Sequence, residues 1–260
     1  GWPANYQGVM LQGFYWDSYS ASQWTNLQSQ TDELSQYFNL VWIPQSAYCG
    51  GQSMGYDDQY WFSNYNSSFG TEAQLRSLIS TFKNKGIGTI ADVVINHRKN
   101  VSTWVDFPAE TYNGTTYQLL STDICANDDG GATKTWATAN GYTLSTNNDS
   151  GEGWSGMRDL DHYSTNVQTS VKAYLNMLLN DLGYVGFRYD MVKGYAGSFT
   201  GLYNSYANPT YSVGEYWDGN AGAVTTWLNS TKVNGQIESA AFDFPFRYTV
   251  RDAINNNDWS

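Results

Sequence analysis

Charge is sparse in this sequence. Lys, Arg, Asp and Glu make up 14% of its 260 residues, and 24 acidic against 13 basic side chains leave a formal net charge of −11. Nucleic acid and anionic membrane surfaces both recruit basic faces that release counterions, so this balance argues against either as a partner. It disfavours phosphorylated substrates for the same reason. Cysteine is equally scarce, and Cys49 and Cys125 alone support neither a disulfide scaffold nor a four-thiolate zinc site. Two histidines, His97 and His162, are too few for a histidine-based metal centre. No apolar run approaches the roughly 18 residues of a membrane-crossing helix. The N-terminus "GWPANYQGVM" has no basic region leading into an apolar stretch. The expectation is a secreted, extracellular monomer whose signal peptide is absent from this chain.

Aromatic residues, by contrast, are abundant. They reach 17% of the chain, with 11 Trp and 21 Tyr, in a background rich in Gly, Asn, Ser and Thr. Rings that stack on apolar sugar faces, surrounded by hydrogen-bonding side chains, suit neutral carbohydrate. The same rings would also serve simply to fill a core.

Strand-type and helix-type segments alternate. "GVMLQGFY" (8–15) and "LVWIPQ" (40–45) are short apolar runs, and between them Trp24, Leu27, Leu34, Tyr37 and Phe38 recur at helical spacing. In "TEAQLRSLISTFKNKG" (71–86), Thr71 and Gln74 form a capping box, Leu75, Leu78, Ile79 and Phe82 make the apolar stripe, and Gly86 stops the helix. The third strand is "IGTIADVVINH" (87–97). Asn, Asp, Gly, Thr and Trp then dominate residues 98–164, which predicts a loop-rich insertion. A helix is predicted over 165–183, with a second capping box at Thr165 and Gln168 and a stop at Gly183. "VGFRYD" (185–190), "YSVGEYW" (211–217) and "AAFDFPF" (240–246) supply three further strands.

This order implies a parallel α/β sheet. Neither a dinucleotide-type Gly-x-Gly-x-x-Gly nor a Walker-type phosphate loop is present, which turns the reading from an open doubly wound sheet to a (β/α)8 TIM barrel. About six of its units are present. The expected layout is barrel over 1–97, an inserted domain over 98–164, and barrel again over 165–260. Barrel chemistry sits at the C-terminal ends of strands, where Asp92, Asn96, His97, Arg188, Asp190, Glu215 and Asp243 fall.

Asp190 and Glu215 would stand at the mouths of neighbouring strands, which lie about 4.7–4.9 Å apart. Retaining glycosidases place their two carboxyl groups about 5–5.5 Å apart. Arg188 shares a strand face with Asp190 and is expected to lower its pKa, while Tyr216 and Trp217 flank Glu215 and favour its protonated form. Taken alone, Arg188 and Asp190 would equally form a structural ion pair. His97 suits hydroxyl recognition or a structural hydrogen bond. Asn96, Asp149 and Asp159, with carbonyls of "NDSGEGWSG" (148–156), offer the hard oxygens that Ca²⁺ takes, although such loops also form plain turns and no EF-hand pattern is present.

The motifs "GFYWD", "SMGYDDQYW", "FGTEAQL", "ADVVINHR", "RDLDH", "GFRYDMVKGY", "VGEYWD" and "FDFPF" run in this order along nearly the whole chain. Together they resemble the α-amylase family, glycoside hydrolase family 13, in its plant and archaeal branch. The resemblance implies Asp190 as nucleophile, Arg188 as its support and Glu215 as general acid and base. It implies Tyr56 and His97 around the sugar being cleaved, Lys193 on the leaving-group side, and Trp217 as a further substrate contact. Asn96, Asp149 and Asp159, with the carbonyls of Gly151 and Gly194, would surround a structural calcium ion that ties the insertion to the barrel. Gly194 fits the plant and archaeal branch, and no zinc is expected. The family's third carboxylate, an Asp after an Asn-His pair, has no counterpart, so the chain is expected to stop short of the seventh strand. The implied activity is retaining endo-hydrolysis of α-1,4-glucosidic bonds in starch and related α-glucans. The alternatives are an inactive glucan-binding fragment and a related transglycosylase or debranching enzyme.

Overall fold

The structure, a computed structural model, describes residues 1–256; the end of the "NNNDWS" tail lies outside the described residues. Six short strands, Met10–Gln12, Leu40–Trp42, Gly88–Val93, Gly186–Tyr189, Tyr211–Gly214 and Ala240–Ala241, pair in chain order into one all-parallel sheet. Leu40, Val41, Ile90, Ala91, Val93 and Phe187 are all buried, as strands covered on both faces require. The Trp42 ring stacks on Phe242 with centroids 5.8 Å apart, so the sheet curls until the end of its second strand meets the chain just past its sixth. The barrel expected from the sequence is thus present as a six-stranded part, with Asp92, Arg188, Val213 and Ala240 level across four adjacent strands.

The helix Glu72–Asn84 forms where its signals place it, with the reciprocal Thr71–Gln74 capping box and buried Leu75, Leu78, Ile79 and Phe82. Other expectations need correction. The first helical stretch breaks at Gln30 into Trp24–Ser29 and Thr31–Leu34. The cap of Thr165–Met177 is Ser164, one residue earlier than predicted, and the Gln168 side chain donates instead to the His162 carbonyl at 2.7 Å. That helix widens into a π-type turn over Leu178–Leu182 before Gly183, at φ 93°, ends it. Asp243 lies beyond the sixth strand rather than on it.

Between the third and fourth strands the chain makes more regular structure than its composition suggests. His97–Arg98 pairs antiparallel with Arg158–Asp159, Glu110–Tyr112 and Thr115–Tyr117 form a hairpin turning on Asn113 and Gly114, and Ala132–Ala139 is a helix. Its eight residues, four of them Thr or Trp, carry little periodic signal. Both cysteines are buried free thiols. Among the described residues no helix is long and apolar enough to cross a membrane.

One buried carboxylate pins this segment to the loop after the second strand. Glu110 accepts from the backbone N–H groups of Trp61, Phe62 and Ser63 at 2.8–2.9 Å and from the Ser63 hydroxyl, and it pairs with buried Arg98 at 3.4 Å. Arg98 also lies 4.4 Å from the Trp61 ring centre. Truncating Glu110 would orphan buried donors and an unpaired guanidinium together. Glu110→Ala is therefore expected to destabilise the fold by about 3–5 kcal/mol, read as a lowered urea midpoint. A loss under about 1 kcal/mol would refute the pinning role.

Candidate active site

The C-terminal ends of the strands open on a cavity of about 700 Å³. Of the residues expected from the sequence, Tyr56, His97, Arg188, Asp190, Glu215 and Trp217 line it, joined by Trp42, Trp154, Phe242 and Phe244. The fourth and fifth strands pair Tyr189 with Gly214, so Asp190 and Glu215 are each the first residue past the ladder on neighbouring strands. The Asp190 amide still donates to the Val93 carbonyl, and the Glu215 amide to the Tyr189 carbonyl, both at 2.9 Å. Sheet hydrogen bonds thereby hold the backbones that carry both carboxylates. Immediately after Asp190, Met191 sits in the left-handed region at φ 44° and itself lines the cavity, a strained conformation at the point where the chain must leave the strand.

Arg188 lies at the centre. Its Nη1 donates to Asp92 Oδ1 at 2.8 Å and Asp190 Oδ1 at 2.9 Å, and its Nη2 contacts Glu215 Oε2. Asp92 in turn accepts from the Trp42 indole at 3.2 Å, and the guanidinium lies 4.6 Å from the Trp42 ring centre. Four ionisable side chains, all buried, thus share one positive charge. Arg188 does pull the Asp190 pKa down, as expected, but the net shift is upward. Burial raises it, and the opposing pull of Arg188 is divided among three carboxylates. Burial likewise pushes Asp92 up to about 6. Burial acts to lower Arg188, but Asp92 and Asp190 more than offset it and hold the guanidinium protonated. Asp92 had no assigned role in the sequence, although an acid inside an otherwise apolar strand is itself a signal.

His97 accepts from the Asn96 amide at Nδ1, 3.1 Å away, and donates from Nε2 to the Tyr56 carbonyl at 2.8 Å. Burial lowers its pKa to about 4, so near pH 7 it presents a neutral ring, packed 4.2 Å from Trp154. Trp217 stacks on Phe244 at 4.3 Å, and its indole donates to Glu215 Oε1. Trp154 comes from the segment before the fourth strand and Phe244 opens the helix Phe244–Asn256 past the sixth; both fall in stretches read from the sequence, but neither was expected at the site. Lys193 is not among the lining residues; it pairs with Asp218 at 3.1 Å and lies 4.9 Å from the Tyr216 ring centre.

Behind His97, the oxygens Asn96 Oδ1, Asp149 Oδ2 and Asp159 Oδ1 are buried with no hydrogen-bond partner. A side chain on Gly194 would strike Asn96 Oδ1, and one on Gly151 would strike the Lys193 carbonyl, so both glycines are needed for close approach here. Burial and the neighbouring Asp149 push Asp159 up to about 9. Orphaned, crowded oxygens fit a hard cation. Among the described residues no trio of His, Cys, Asp and Glu makes a metal site, in keeping with a donor set of two carboxylates, an amide and backbone.

The family model described as alpha amylase, catalytic domain, matches residues 48–260. A probable alpha-amylase 2 of Arabidopsis thaliana is 28% identical over 271 residues, covering 96% of this chain and 60% of its own length. An alpha-amylase of Bacillus licheniformis is 24% identical, covering 96% and 58% respectively. The chain therefore spans about three-fifths of these relatives. In fold it is similar to an alpha-amylase of Geobacillus thermoleovorans complexed with acarbose, at a TM-score of 0.63 and 16% identity over 88% of this chain and 47% of that one. It is also similar to a gamma-CGTase of Alkalophilic bacillus clarkii, at 0.66 and 18% over 96% and 38%.

Removing Arg188 should expose how much the cluster depends on it. In Arg188→Met the buried carboxylates lose their counter-charge, and the folded-state pKa values of Asp92 and Asp190 rise further above the unfolded value of about 3.9. A raised carboxylate costs stability above its unfolded pKa and recovers it on protonation. The variant should lose about 3–5 kcal/mol at pH 7 and clearly less at pH 4.5, measured by denaturant unfolding. An equal loss at both pH values would refute this account.

Proposed function

The chain belongs to the alpha-amylase family, and on that premise we propose that it is the catalytic part of a retaining hydrolase that cuts internal α-1,4 bonds of starch and related α-glucans. The observation that carries this reading is two carboxylates on adjacent strands meeting at one guanidinium, in a cavity walled by aromatic rings. Asp190 attacks the anomeric carbon and forms a glycosyl-enzyme, while Glu215 protonates the departing glycosidic oxygen. Glu215 then takes a proton from the water that attacks the same carbon, and Asp190 is released. Three buried carboxylates against one guanidinium favour retention of a proton, and a nucleophile and acid pair requires one ionised and one protonated member. Arg188 supports Asp190, with Asp92 fixing the guanidinium from the other side.

Neutral His97 and Tyr56 would hold the sugar being cleaved, and Trp217 offers a half-exposed ring at the mouth. Lys193, outside the lining, would meet the leaving-group portion of a longer chain. Residues 98–164 form the inserted domain in this reading, and calcium is its tie to the barrel, held by Asn96, Asp149, Asp159 and the carbonyls of Gly151 and Gly194. The ion would supply charge compensation and cross-linking, not reaction chemistry. Action outside the cell, on a polymer and without nucleic acid, membrane or a second subunit, belongs to the same proposal.

The test is release of reducing ends from soluble starch by the protein beside Asp190→Asn and Glu215→Gln. Each variant should lose about a thousandfold or more in turnover and keep its starch affinity, and the new anomeric centre should carry retained α configuration. Near-normal hydrolysis in either variant, or inverted product, would sink the assignment; absence of turnover in the parent would favour a glucan-binding role.

Calcium has its own check. An ion that binds only the folded chain at about a hundredfold over its dissociation constant contributes about 2.7 kcal/mol. Stripping it with chelator should lower the thermal midpoint by roughly 5–10 °C and readdition should restore it. An unchanged midpoint would remove calcium from the proposal.

A further inference from the structure

The two-rung ladder joining the insertion to the barrel has two faces. Successive side chains on a strand point to opposite sides, so His97 and Asp159 face the cavity and the metal-type cluster, while their neighbours Arg98 and Arg158 face away. On that far side Arg158 lines a separate cleft of about 420 Å³ with Asn100, Ser102, Thr103, Trp104 and Trp136.

The cleft is built before any ligand arrives. The Trp104 indole donates to Thr133 Oγ1 at 2.9 Å, and the Arg158 guanidinium lies 5.1 Å from its ring centre. The loop carrying it is held by Asp106, which accepts from the Thr103 amide at 2.7 Å and the Ser102 hydroxyl at 2.6 Å. The Trp136 ring lies 6.3 Å from Trp104 and stacks at 5.6 Å on Tyr142, which is half-exposed. Arg158 is more than nine-tenths buried, and its Nε–H has no acceptor among the described residues.

We propose that this cleft is a second carbohydrate site, taking a glucosyl stretch of an α-glucan chain at a distance from the catalytic cavity; the proposal rests on the glucan-hydrolase reading above. Its chemistry selects a neutral ligand. Asp128 at 2.9 Å and Asp129 at 3.9 Å neutralise the Arg158 charge, so nothing is left to attract a phosphate or carboxylate. Aromatic edges and faces meet the apolar side of a sugar ring, and the Asn100 amide and the hydroxyls of Ser102 and Thr103 match its hydroxyls. A polymer is long enough to occupy both places at once, which raises its effective concentration at the cavity.

Calorimetric titration of the protein with linear maltoheptaose tests this in a Glu215→Gln background, where turnover does not interfere. Two sites per chain are expected. Adding Trp136→Ala or Tyr142→Ala should weaken one of them by about tenfold and leave the other in place. Tyr142→Ala removes a half-exposed ring outside the core, so it decides the matter if Trp136→Ala fails to fold. One site per chain, or two sites that neither substitution moves, would overturn the second site and leave the catalytic reading standing. No binding at all would sink the catalytic reading, and this proposal with it.

Discussion

A guanidinium buried among three carboxylates can discharge its field only into them, and the geometry of each is then set by the others. Arg188 is fixed from one side by Asp92, which is itself fixed by the Trp42 indole, and from the other by the two carboxylates at the strand mouths. The row that levels Asp92 with Arg188 across the third and fourth strands is a consequence of parallel register. Backbone pairing therefore decides which acids share the charge. Because the acids outnumber the base and all four side chains are buried, the cluster favours holding a proton, and a site poised between protonation states follows from burial and arithmetic alone.

The insertion is held to this centre at two heights. Glu110 satisfies three backbone N–H groups of the loop after the second strand, the loop that carries Tyr56. Nearer the cavity, the Asn96 amide and the Tyr56 carbonyl together fix the His97 ring and its tautomer. Asn96 presents its other atom, Oδ1, to the cluster of orphaned oxygens. A single carboxamide thus stands between the cation-type site and the sugar-type cavity, and ordering of either one constrains the other.

Much of this was legible in the sequence where local rules and tertiary context agree. The helix over 72–84 carried its cap, stripe and stop within sixteen residues, and the charges of "GFRYDMVKGY" stood out because charge is rare elsewhere. The direction of the Asp190 shift was not legible, since spacing along one strand reveals a neighbouring arginine but not how many other acids that arginine serves. Ser164 rather than Thr165 caps the helix, and Gln168 donates to the His162 carbonyl, a partner that only the fold brings near. Trp154 reaches the cavity from a loop with no periodicity to read, Phe244 opens the helix Phe244–Asn256 where a strand was expected, and the helix Ala132–Ala139 is too short to announce itself.

Chain-order pairing of the sheet has a kinetic side. Each strand adds to its predecessor across a connection far shorter than the one between the third and fourth, where Asp92 and Arg188 meet across 96 positions. Closing that junction carries the largest loop entropy in the sheet. Before it closes, the first three strands hold an acid without its base, and the later strands hold a base with its own acids but without the partner that orients it. Docking of the two halves and neutralisation of the buried charge are consequently one event, so a nascent chain has little reason to commit to this sheet until the insertion has been made and traversed.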